Sequence, residues 1–60
     1  QYLYAFILSL DSQGQTTKAI QKLQKRIGNY SDKQQLKELG LYLAQKTRNR
    51  QMYDWFNEIK

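Results

Sequence analysis

Chemistry in this chain has few places to come from. Its 60 residues include no Cys and no His, which excludes disulfides, thiolate nucleophiles, Cys/His zinc sites, iron–sulfur ligation and imidazole acid–base work. Five carboxylates remain as possible acids, bases or hard ligands: Asp11, Asp32, Glu38, Asp54 and Glu58. They fall at expected helix ends or beside basic residues, where capping and surface pairing account for them more cheaply than catalysis does. Gly14, Gly28 and Gly40 stand too far apart to cradle a phosphate. No enzymatic activity, cofactor or metal site is therefore expected.

Basic side chains are the larger resource. Ten Lys and Arg against five acids give a net charge of +5. Lys18, Lys22, Lys25 and Arg26 form a stripe, and Lys46, Arg48 and Arg50 cluster further on. With one Trp, five Tyr and two Phe in the chain, such a patch makes nucleic-acid binding the alternative functional reading, against the plain one of a solvated helix face. Membrane insertion is not expected. The apolar run Tyr2–Leu10 has no basic residue before it and no small-residue cleavage site after it, and it is well short of the ~20 residues that cross a bilayer.

The elements that must position these groups are helices. The chain has no Pro, and Leu, Gln, Lys and Ala dominate, so the expected fold class is all-α. Breaks at Asp11–Thr16, Gly28–Ser31 and Thr47–Asn49 divide the chain into four helices near 2–12, 17–28, 32–46 and 50–59. Gly28 and Asn29 suit a left-handed C-cap, and Ser31-x-x-Gln34 has the form of a capping box. The second helix collects Ala19, Ile20, Leu23 and Ile27 opposite its basic stripe. The third collects Leu36, Leu39, Gly40 and Leu43 and points Leu41 elsewhere, and the fourth gathers Met52, Phe56 and Ile59. The first is apolar almost all round, which predicts a neighbour on both sides.

A shift of 33 residues superposes Leu3 on Leu36, Phe6 on Leu39, Leu8 on Leu41, Leu10 on Leu43, Ala19 on Met52 and Leu23 on Phe56. The chain thus reads as two antiparallel helix-hairpin repeats, stacked to cover each other's apolar faces. In these residues it resembles the tetratricopeptide repeat. Leu36-x2-Leu39-Gly40-x2-Leu43 followed by Met52-x3-Phe56 follows that family's pattern, as do Leu3-x2-Phe6-Ile7-x2-Leu10, Gly14 and Ala19-x3-Leu23. Gly40 and Ala19 would sit where helices approach closely, and Gly14 at the turn. The chain departs from the pattern at Ile7, Thr47, Met52 and Ser31, where the family prefers Gly or Ala, Gly, Ala and Pro. The stretch Gln51–Asn57 is also similar to the Trp-Phe segment of homeodomain recognition helices, but Glu58 stands where that family carries its adenine-reading Asn.

The repeat resemblance implies a single domain over 1–60, with repeat one at about 1–30 and repeat two at about 31–60, a short right-handed solenoid cut from a longer array. It also implies a non-catalytic scaffold that binds a protein or peptide segment in a concave groove lined by the first helix of each pair. The implied partner-binding residues are Tyr4, Leu8 and Ser12 from one copy and Lys37, Leu41 and Gln45 from the other. Lys37 matches a position where family members grip a terminal carboxylate, whereas Leu41 replaces the Asn that those members need. The end faces, Tyr2, Phe6 and Ile7 on one side and Trp55 and Ile59 on the other, are expected to be exposed and to support self-association.

Overall fold

The computed structural model describes residues 2–59, and all regular structure among them is helical. Helix α1 spans Tyr2–Ser12, α2 Thr16–Arg26, α3 Gln34–Lys46 and α4 Arg50–Asn57; a single 3-10 turn, Ile27–Asn29, follows α2. The start of α1 meets the end of α2, where Leu3 and Phe6 share a cleft with Arg26 and Tyr30. The start of α3 likewise meets the end of α4, where the Lys37 ammonium donates to the Ile59 carbonyl at 2.9 Å. Each pair is therefore an antiparallel hairpin. Helix α3 packs on α2 and, more lightly, on α1. Tyr4 and Leu8 lie against Gln35, Leu39 and Tyr42, and Asp11 reaches Lys46, so α1 and α3 run side by side in the same direction.

The core is the product of the apolar stripes. Leu3 and Ile7 of α1, Ala19, Ile20 and Leu23 of α2, Ile27, then Leu36, Leu39 and Leu43 of α3 and Phe56 of α4 form one buried cluster. Ala44 is also buried, and no polar side chain among the described residues is. Gly40 permits a close approach of α4 to α3. A Cβ built there would stand 2.5 Å from the Phe56 ring, so α4 seats its one fully buried aromatic directly on the α3 backbone. Ile7 belongs to this core with no exposure, unlike the end-face role expected for it; Tyr2 and Phe6 are exposed, Trp55 partly so and Ile59 is half-buried.

Two local expectations are corrected. Gly28 does not adopt a left-handed cap: the chain tightens into the 3-10 turn, which keeps Ile27 in the core, and Tyr30 then turns extended at φ −112°, ψ 139°. The Ser31 capping box does not form either. Helix α3 begins at Gln34, whose amide donates to Asp32 Oδ1 at 3.3 Å.

The hairpin turns repeat at a different step from the core. Gly14 N–H bonds Asp11 C=O and Gln15 N–H bonds Leu10 C=O; Arg48 N–H bonds Gln45 C=O and Asn49 N–H bonds Ala44 C=O in the same pattern 34 residues later. Both are left-handed C-caps, with φ +79° at Gly14 and +57° at Arg48. The residue taking the glycine position in the second hairpin is thus Arg48, not Thr47. One added residue turns a helix face by about 100°, and α3 absorbs this by burying both Leu43 and Ala44.

Candidate functional site

On α1, helical spacing puts Leu3 and Ile7 into the core and turns Tyr4 and Leu8 to the side where α3 lies. On α3, Gln35, Glu38, Leu39 and Tyr42 recur at the same spacing on the edge facing α1. Between them lies an open groove of about 460 Å³ lined by these six side chains. Leu8 is 39% and Tyr42 53% exposed, although both are large and apolar in body; the groove therefore presents uncovered apolar surface with Gln35 and Glu38 as polar handles.

One end of the groove is held by a chain of polar contacts joining three helices. Lys46 Nζ lies 3.0 and 3.1 Å from the two Asp11 carboxylate oxygens, and Thr16 Oγ1 donates to Asp11 Oδ1. The Thr16 hydroxyl first, and the Lys46 ammonium second, hold the Asp11 carboxyl below the usual carboxylate range. The same bond raises the Lys46 ammonium above its ordinary value. That ammonium also lies 5.9 Å from the centre of the Tyr42 ring, a cation–π distance that steadies the groove's most exposed aromatic.

Of the six residues expected to bind a partner, Tyr4 and Leu8 meet in this groove. Lys37 is half-buried and spends its ammonium on the Ile59 carbonyl. Leu41, one turn further along α3, packs half-buried against the core. Gln45 lines a separate hollow of about 270 Å³ with Ala44, Arg48, Asn49, Arg50 and Tyr53. Ser12 Oγ donates to the Ser9 carbonyl at 3.0 Å, at the end of α1. The division has a geometric cause. Lys37 and Leu41 lie on the edge of α3 turned toward Ile59 and the core, while Gln35, Glu38 and Tyr42 lie on the edge that closes the groove with α1. Gln35, Glu38 and Tyr42 were not identified from the sequence; their signal was the i, i+3, i+7 spacing beside the core stripe.

Among the described residues no group of three or more His, Cys, Asp or Glu side chains could hold a metal ion, and no helix is long and apolar enough to cross a membrane. No family model matches the chain, and no curated protein or solved structure is significantly similar to it.

Proposed function

We propose that the chain is a non-catalytic interaction module, similar to tetratricopeptide repeats, that binds a segment of another protein in the groove between α1 and α3. The observation carrying this reading is the parallel placement of α1 and α3 with Tyr4, Leu8 and Tyr42 left partly uncovered between them, above the buried Leu39. The repeated hairpin turns and the shared core pattern support the array-like reading. The surface suits a peptide with apolar side chains for Tyr4, Leu8 and Tyr42 and a basic residue for Glu38, an exposed carboxylate outside the one ion pair among the described residues.

Selection of peptides from a random library against the full chain, followed by amide-resonance mapping, tests this. Apolar peptides carrying Lys or Arg are expected to shift resonances of α1 and α3 and to lose binding with Leu8→Ser or Glu38→Lys. A library that yields no binder, or binders that map away from the groove and ignore both substitutions, overturns the reading.

A further inference from the structure

On the other side of α1 the surface changes character. Helical spacing turns Tyr2 and Phe6 away from Tyr4 and Leu8 and toward the outer edge of α2. There Tyr2, Leu3, Phe6, Arg26 and Tyr30 line a cleft of about 290 Å³. Tyr2 is 93% and Phe6 41% exposed. The Arg26 guanidinium lies 5.8 Å from the centre of the Phe6 ring, so the cleft offers flat aromatic faces and a fixed positive charge together.

A basic ridge runs from that cleft along α2. Lys18, Lys22 and Arg26 follow one another at four-residue steps, with Lys25 beside them, a ridge of about 12 Å at 1.5 Å per residue. From residue 12 to residue 31 the chain contains no acid. The one ion pair among the described residues, Lys46 with Asp11, lies elsewhere. Like charges at this spacing destabilise a helix. The helix dipole favours Lys25 and Arg26 in the last turn, but it opposes Lys18 in the first. The folded chain thus carries like charges along α2 that no ion pair among the described residues offsets and whose crowding a bound polyanion would relieve.

We infer that this flank is a binding site for single-stranded nucleic acid, with the Lys18–Lys22–Arg26 ridge taking phosphates and the Tyr2/Phe6/Tyr30 cleft taking a base. A positive track leading to exposed aromatic faces is the arrangement that single strands use, because every base has a face to stack and the track follows the backbone. An acidic peptide would satisfy the ridge and leave the rings idle. A duplex would do the same, since its bases are already stacked.

The test is fluorescence anisotropy with the full chain, using labelled oligo(U) and oligo(dT) of about 12 nucleotides, a duplex of equal length, and polyphosphate as a base-free competitor. Single strands are expected to bind about tenfold or more tighter than duplex, with affinity falling steeply as salt is added. Polyphosphate is expected to compete weakly, and a preference between the two oligonucleotides separates RNA from DNA as the source. Tyr2→Ser, at a side chain that supports no packing, should weaken single-strand binding about tenfold with helicity unchanged. Lys18→Glu should weaken binding and flatten the salt dependence while raising the thermal midpoint of the free chain, a combination that a misfolded variant cannot give. Equal affinity for single strand, duplex and polyphosphate overturns the inference, as does indifference to both substitutions or an absence of binding at low salt. A sedimenting dimer that Tyr2→Ser dissolves, with no oligonucleotide bound, assigns the cleft to a second copy of the chain instead.

Discussion

Arg48 holds a backbone shape that β-carbons resist. At φ +57° a non-glycine residue costs on the order of 1–2 kcal/mol; substitution by Gly relieves that strain, and the greater freedom it gives the unfolded chain cancels part of the gain. Arg48→Gly is therefore expected to stabilise the fold by about 0.5–1 kcal/mol in urea denaturation. Gly14→Ala is expected to destabilise it by about 1 kcal/mol, through backbone strain alone, since a Cβ at Gly14 meets nothing within 4 Å. Asp11 supplies a pH test. Its carboxyl is held below the ordinary value of 3.8, so its contribution is fully present above that value and is lost as pH falls through the lower, folded-state pKa. Asp11→Asn should be less stable than the parent at neutral pH, with the gap closing as acid takes the pH below 3.8 and through the lowered folded-state pKa. The largest cause is the Thr16 hydroxyl, a short-range bond that salt does not screen, so part of the gap should survive in about 1 M NaCl.

At the scale of elements, the α3–α4 seam depends on the missing side chain of Gly40. Gly→Ala inside a helix ordinarily gains about 1 kcal/mol. Here the new methyl would drive into Phe56, which is fully buried, and the variant is expected to lose about 1–3 kcal/mol. Combining Gly40→Ala with Phe56→Leu should recover part of that loss, which thermal denaturation of the single and double variants would show. That Gly40 marks a close helix approach was implied by the repeat resemblance, while its partner Phe56 came only with the packing; four helices, the buried stripe of α2 and the turn at Gly14 were legible from the residues themselves. Those features follow from chain-local rules of periodicity and conformational freedom. The end of α2 was less legible, because Gly28 and Ser31 carried the right residue types while the tertiary demand to bury Ile27 chose a 3-10 turn. The groove was legible by half. Tyr4 and Leu8 were found by their place in the first copy, but the facing residues, Gln35, Glu38 and Tyr42, depend on which edge of α3 the packing turns toward α1. Repeat equivalence supplies only the same edge twice.

For the whole molecule, charge is the first determinant of behaviour. A chain of net charge +5 repels itself when compact, and the ion pair that opposes this is half exposed on its Lys46 side and worth little. Added salt should therefore raise the thermal midpoint by a few degrees between about 0.02 and 0.3 M, as screening shortens the reach of the repulsion from about 20 Å to about 6 Å. Size sharpens the effect, because a 60-residue domain buries only about 60% of its unfolded surface and has little stability in reserve. The side-by-side, same-sense arrangement of α1 and α3 has one further consequence. It leaves the molecule with a direction: Tyr2, Phe6 and the lysine ridge mark one flank, Tyr53 and Trp55 the other, and no rotation of the chain exchanges them. Copies joined through a single flank pair off and stop. Copies joined one flank to the other follow head to tail, and such a line ends only where the rotation between neighbours brings it round into a ring.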